Sequence, residues 1–406
     1  MQATDTVWTP TDLLARLEQR DKFFVLDVRN RDEFERFRLE GLEPLPSYNI
    51  PYFEMLETGG KEDMIESLVA CADTTLNREL PKDVPILTVC AKGGTSEFVA
   101  QALRQLGYSC TNLAGGMKQW GDHYTTRPIV ESHDLAIYQV SRMARGCLSY
   151  VIASKGHAIV LDPLRHVKPY LDLATAKSFK IEQIIDTHGH ADHVSGAPRL
   201  AAETGASYHL HPYDAIHPID MIPGSIMYDA IWDGEVFPVG SHELRAIHSP
   251  GHTLGMIAFQ LDDKYLFSGD SIFIQSISRP DLGGKAENWA PLHVRSLRKL
   301  LGLSGETILL PGHFSSLNEE DNCGHFARTL DQLKSSNESL VTLQRESDEK
   351  FIQYLLGSLP RFIPEYVEIK RVNAGLAAPA EEEMETLELG KNVCALAQAY
   401  ASTGGN

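Results

Sequence analysis

Thr187-His188-Gly189-His190-Ala191-Asp192-His193 is the stretch on which the fold of this chain turns. It follows the apolar residues Ile184-Ile185, so three imidazoles and one carboxylate leave a strand end within six residues. His188 and His190 stand two apart and project the same way from an extended segment, while Asp192 and His193 can turn toward a neighbouring position. A lone histidine is usually structural or exposed. A cluster this dense has the spacing of a metal site, in which a borderline or hard divalent cation takes several N and O donors and keeps a position open.

Three further stretches repeat the design. Ala246-Ile247 precedes His248-Ser249-Pro250-Gly251-His252, Leu266-Phe267 precedes Ser268-Gly269-Asp270, and Leu309-Leu310 precedes Pro311-Gly312-His313. If these strands share one sheet edge, the donors converge. Around them lie short apolar runs bounded by Gly, Pro, Asp or Ser, at 136–140, 148–152, 158–161, 181–186, 244–247, 265–267 and 307–310. With helices expected at Ala197–Thr204 and 291–301, this pattern implies two sheets with helices outside.

The N-terminal part has a different rhythm. Thr9-Pro10-Thr11-Asp12 starts a helix, 23–28 and 85–89 read as buried strands, and 96–106 as a helix ended by Gly107. Alternating strands and helices imply an α/β parallel sheet covered on both faces. A chain of 406 residues exceeds what one core usually serves. The polar stretch around Pro128 marks the boundary, giving domains 1–128 and 129–375. From residue 376 a tail follows with Glu381-Glu382-Glu383-Met384-Glu385 and then 393–400 at helical spacing, read as an appended helix or a mobile tail.

Within the first domain, Cys90 follows the apolar run Ile86–Val89 and precedes Ala91-Lys92-Gly93-Gly94-Thr95-Ser96. Backbone N–H groups of such a loop and the following helix N-terminus favour a thiolate, the reactive form. The bland reading is a buried cysteine in an ordinary glycine turn. Lys92 is the one cation of the loop, and the other five cysteines read as structural. No Cys-x-x-Cys pair occurs, which argues against a thiolate zinc finger.

The net charge of −18 would repel a phosphate backbone or an anionic membrane, so neither nucleic acid nor membrane is expected as a partner. The first 16 residues lack the basic start and apolar core of a signal peptide. No apolar stretch approaches the roughly 20 residues of a membrane span. A cytoplasmic location is expected. Oligomeric state is left open, with the tail from Leu376 as a candidate homo-oligomer contact.

The four metal stretches resemble, in order, the motifs of the metallo-β-lactamase superfamily, over roughly residues 135 to 375. That resemblance implies an αββα sandwich with the site at the sheet edge. Two branches are similar. Persulfide dioxygenases resemble the chain with one Fe(II), which implies His188, His252 and Asp270 as ligands, with His190, Asp192, His193 and His313 as supporting groups. Glyoxalase II-like thioesterases imply two Zn per chain and those four residues as further ligands. Ser278-Arg279-Pro280-Asp281 resembles the dioxygenase branch's Gly-Arg-x-Asp segment and implies that Arg279 faces the anionic groups of the thiol carrier.

Residues 8 to 122 resemble a rhodanese domain through Asp27-Val28-Arg29, Glu33-Phe34, Asn49-Ile50-Pro51, the Cys90 loop and 113–120. Thr95 stands where many members carry Arg, leaving Lys92 to face substrate. This resemblance implies a persulfide on Cys90. Together the resemblances imply an enzyme that oxidises a small-molecule thiol persulfide with O2 to sulfite and thiol, with sulfite and thiosulfate as the partners of sulfur transfer. The alternatives are a dinuclear zinc thioester hydrolase and a non-catalytic sulfur-carrier or sensing module.

Overall fold

The structure is a computed structural model and describes residues 6–397. Two compact units are present. The first lies within Met1–His123, joined by Met143–Arg145 and Leu389–Lys391. The second comprises Tyr124–Arg142, Gly146–Glu388 and the chain from Asn392.

In the first unit five strands form one parallel sheet, in the order Val7–Trp8, Cys110–Leu113, Ile86–Val89, Phe24–Asp27, Ser47–Asn49. Ile86–Val89 is buried throughout, as a strand covered on both faces must be. The helix Pro10–Glu18 begins at a reciprocal cap, in which Thr9 Oγ1 accepts the Asp12 N–H at 3.2 Å and the Asp12 carboxylate accepts the Thr9 N–H at 2.9 Å. Leu26, Ile86, Val99 and Leu103 share the core between sheet and helices. Asp27 and Arg29 form a buried ion pair at 2.6 Å.

The second unit holds two sheets. One runs Asp229–Ala230, Ser207–Leu210, Lys180–Ile185, His157–Leu161, Cys147–Ser154, Ala136–Arg142, Tyr124–Glu131. The other runs Val236–Val239, His242–His248, Ile257–Leu261, Tyr265–Gly269, Ile308–Pro311, Arg328–Thr329. Their inner faces meet where the Tyr150 ring packs on Phe267 at 5.1 Å and the Tyr150 hydroxyl donates to the Pro311 carbonyl at 2.7 Å. Tyr170 and Leu200, from helices Lys168–Lys177 and Ala197–Thr204, cover the opposite face of the first sheet against Val140, Val160 and Ile184. Phe267→Ala should cost about 3–5 kcal/mol, because the ring is fully buried between the sheets. A denaturant midpoint unchanged by this substitution would contradict the packing.

Three expectations need correction. Residue 128 is not a boundary: Pro128 lies inside Tyr124–Glu131, which pairs only with Ala136–Arg142 and is irregular just after the proline. A proline is tolerated on such an edge strand, which is how a polar stretch comes to open the second unit. The helix expected from Pro291 begins at Ala286, with Pro291 inside it. The tail forms the helix Glu381–Leu387, but 393–397 forms no helix despite its helical spacing, with Ala395 bridging Ser278 and the Leu396 N–H donating to the Ile277 carbonyl at 3.1 Å. The remainder of the expected helix, 398–400, lies outside the described residues. No helix among the described residues is long and apolar enough to cross a membrane.

Candidate metal centre and cysteine loop

The strands Lys180–Ile185, His242–His248, Tyr265–Gly269 and Ile308–Pro311 deliver His188, His252, Asp270 and His313 just beyond their C-terminal ends. The Nε2 atoms of His188 and His252 lie 3.7 and 3.3 Å from one oxygen, Asp270 Oδ2. All three atoms are buried without a hydrogen-bond partner. Such orphans are costly unless something fills the space between them. They are close enough together to hold one cation.

The other side of each ligand is already committed. Thr187 Oγ1 gives its proton to Asp162 Oδ2 at 3.0 Å, so toward His188 Nδ1, 2.9 Å away, it can only accept. His252 Nδ1 faces the Arg279 carbonyl at 2.9 Å, again an acceptor. Both rings therefore carry their proton on Nδ1 and present a bare Nε2 lone pair inward, the tautomer a metal needs. Asp270 Oδ1 accepts from His313 Nδ1 at 2.7 Å, leaving Oδ2 free. Burial, then the neighbouring His190, holds His188 well below the usual imidazole range, so it stays neutral. Burial acts to raise Asp270, but the charged His313 outweighs it and keeps the carboxyl ionised well below its usual range. Two imidazole nitrogens and one carboxylate oxygen fit a divalent cation of the non-haem iron or zinc type.

The remaining donors of the motif are engaged differently. His190 Nε2 meets Asp162 Oδ1 at 3.1 Å and Asp186 Oδ1 at 3.6 Å; burial opposes its protonation, but the two carboxylates raise its pKa to about 10. His313 sits between Asp270 and Asp192, 2.8 Å from Asp192 Oδ2, and those charges overcome burial to lift it well above the usual range. Asp192 Oδ2 also takes the Cys147 thiol at 3.4 Å. Burial and then Asp192 push that thiol up to about 11. His193 Nδ1 faces the Val194 carbonyl at 3.3 Å. None of the seven donor residues His188, His190, Asp192, His193, His252, Asp270 and His313 is more than 7% exposed, so their side chains are shielded from bulk water.

Supports of this site come from places the motif did not mark. Asp214, on a loop, accepts the N–H groups of Gly189 and Gly255 at 2.8 Å each and the Thr253 hydroxyl, tying the turns of His188 and His252 together. Asn373 donates to the carbonyls of His190 and His193 at 2.9 Å. Both are ordinary polar residues with no spacing signal. Gly269, at φ +47, is required because a Cβ there would lie 2.6 Å from Thr187 Oγ1.

Arg279 does not face a ligand. Its guanidinium is paired with Asp281 at 2.6 Å and donates to the carbonyls of Arg361 and Val393, and it is 2% exposed. Its contribution to the centre is the backbone carbonyl that orients His252.

In the first unit the Cys90 sulfur is buried and accepts the Gly93 N–H at 3.1 Å. Ser96 Oγ lies 3.2 Å away, but its single proton has a nearer acceptor in Asn112 Oδ1 at 2.7 Å. The helix starts at Gly94, two residues sooner than expected, bringing its N-terminus closer to the sulfur. Gly116, at φ +59, passes so close that a Cβ would lie 2.3 Å from the Cys90 carbonyl. Lys92 is solvent-exposed.

A two-sheet sandwich with imidazole and carboxylate donors at the strand ends, following a parallel-sheet unit with a cysteine loop, defines a metal-binding protein joined to a sulfurtransferase-like domain. The Metallo-beta-lactamase superfamily model matches residues 142–313 and the Rhodanese-like domain model residues 9–123. A hydroxyacylglutathione hydrolase of Methylococcus capsulatus is 32% identical over 226 residues, covering 53% of this chain and 81% of the relative. Another, of Cereibacter sphaeroides, is 34% identical over 182 residues, 44% of this chain; the chain spans only 64% of that relative's length. The crystal structure of a metallo-beta-lactamase from Staphylococcus aureus superposes with TM-score 0.51 at 26% identity, over 60% of this chain and 73% of that one. The chain belongs to the metallo-beta-lactamase superfamily and carries an N-terminal rhodanese-like domain.

Proposed function

We propose that the second unit oxidises the terminal sulfur of a low-molecular-weight thiol persulfide at one Fe(II) per chain, and that Cys90 carries sulfane sulfur to or from that chemistry. One persulfide, one O2 and one water would give thiol, sulfite and two protons. The observation that carries this reading is the set of three orphaned donor atoms on His188, His252 and Asp270, each ligand being anchored by its other polar atom. Two imidazoles and one carboxylate leave an iron ion with open positions for O2 and a sulfur donor. The chain's own work is to hold those donors. Thr187 and the Arg279 carbonyl fix the rings, His313 fixes the carboxylate, and burial keeps water from competing. At Cys90 the Gly93 N–H faces the position where negative charge on sulfur develops.

A dinuclear zinc thioester hydrolase is the second reading. It is favoured by the hydrolase names of the relatives and by Asp192 Oδ1, which is also buried without a hydrogen-bond partner. Paired substitutions separate the activities. Asp270→Ala should abolish persulfide-dependent O2 uptake and spare thiosulfate sulfurtransfer, and Cys90→Ser should do the reverse. Loss of all turnover with Cys90→Ser and none with Asp270→Ala would instead make the protein a sulfur carrier whose metal is structural. Gly116→Ala should lower sulfurtransfer at least tenfold through the clash with the Cys90 loop, since displacements near 1 Å can cost about a hundredfold. Full transfer activity in that variant would remove the loop from the chemistry.

A further inference from the structure

Beside the metal centre lies a cavity of about 270 Å³. Gly189 and His190, which follow His188, form one wall, and Thr253 and Leu254, which follow His252, form another. The cavity thus abuts both turns that carry imidazole ligands. Most of the remaining surface is apolar or aromatic, from Tyr208, Leu210, Ile216 and Trp289.

Its polar groups are largely spoken for. Asp214 is filled by two backbone N–H groups and a hydroxyl. Lys370 Nζ donates to the Gly189 carbonyl at 2.7 Å. Asp186 accepts from Ser195 and Tyr208 through Oδ2 and faces His190 at 3.6 Å through Oδ1. His217 bonds the Val367 carbonyl and pairs with Asp220. Asn373 is committed to the metal-binding turn. Lys285 differs. It is exposed on the lining, whereas Lys370, which like it forms no ion pair among the described residues, is buried against the metal-binding turn.

We infer that the cavity is the seat of the persulfide's carrier, and that the carrier is a slender, largely apolar thiol bearing one anionic group, which pairs with Lys285. This inference rests on the reading given under Proposed function. The volume lies just under the usual range for small-molecule pockets, which favours a narrow ligand over a branched one. Charge selects further. Glutathione would bring two carboxylates and an ammonium to a lining whose one exposed cation is Lys285, Lys370 being buried and held by the Gly189 carbonyl, and unpaired charges taken out of water are strongly disfavoured. Arg279, the other cation expected to serve a carrier, is closed off by Asp281 and backbone carbonyls.

The test uses the full-length iron-loaded protein and ω-mercaptoalkanoates from butanoate to octanoate. Their S-methyl thioethers serve as unreactive binding probes in calorimetry and their persulfides as substrates for O2 uptake. One member of the series should bind at least tenfold more tightly than S-methylglutathione. Leu210→Trp, which fills the cavity, should weaken that binding at least tenfold, with Ile216→Trp as a second filling variant should the first not fold. Lys285→Glu should weaken the carboxylate probe by at least about fivefold, beyond the roughly two- to fivefold of losing an exposed pair, and leave its methyl ester unaffected. Equal binding of S-methylglutathione, or indifference to both tryptophan variants, would overturn the inference. O2 uptake with glutathione persulfide but no thioether binding in the cavity would overturn it alone and leave the dioxygenase reading standing. Cavity binding blocked by tryptophan, with no O2 uptake from any persulfide, would uphold the seat and sink the dioxygenase reading.

Discussion

His252→Ala should yield protein that folds normally, retains no iron after anaerobic purification, and consumes no O2 with persulfide. His252 supplies one of three converging donor atoms, and its ring is fixed in the donating tautomer by the Arg279 carbonyl. Losing a ligand should exceed the roughly 10- to 100-fold penalty typical of losing a partner that only orients one. His193→Ala should stay within that smaller range, because His193 contacts the Val194 carbonyl and the His190 ring and is no member of the converging trio. Metal analysis of the two variants side by side is the check. If His193→Ala loses as much metal as His252→Ala, the ligand assignment is wrong.

Glu388→Ala is expected to be the most destabilising single change in the second unit, by about 3–5 kcal/mol. The Glu388 carboxylate is completely buried and receives Arg142 at 2.9 Å, Arg165 at 2.7 Å and the Val194 N–H at 2.8 Å. Removing it strips two buried guanidiniums of a shared counter-charge and frees the backbone directly after His193. Arg165 keeps its pairing with Glu381, which is half exposed, so little of the loss is recovered. Thermal unfolding should show the drop, and iron affinity should fall with it as the 189–194 turn loosens. A variant as stable as the parent would mean that this charge cluster holds nothing in place.

Much of this architecture was legible in the sequence, and the reasons are local. Apolar runs ending in His, Asp or Gly marked the strand ends, and the helix Ala197–Thr204 was read to the residue because its proline and Gly205 punctuate it. The Cys90 loop was equally plain, since a buried strand, glycines and a helix follow one another along the chain. What escaped depended on contacts between distant segments. Spacing places seven donors near one another, but which of them face inward depends on Asp162, Thr187 and the Arg279 carbonyl, and no motif announces those. Arg279 read as a substrate cation because its two-residue separation from Asp281 conceals that they pair. The segment 393–397 has helical spacing, yet its hydrogen bonds to 277–279 and Ser358 are worth more in place than a short isolated helix would be. Pro128 looked like a linker and is an edge strand.

The central claim is that one iron ion, held by His188, His252 and Asp270, directs O2 to a persulfide sulfur. Its most direct test is elemental analysis of anaerobically purified protein combined with O2 uptake on the same sample. One iron per chain, with O2 consumed and sulfite formed in equal amounts only when persulfide is supplied, is the predicted result. Two zinc ions per chain, thioester cleavage and no O2 uptake after iron loading would contradict it.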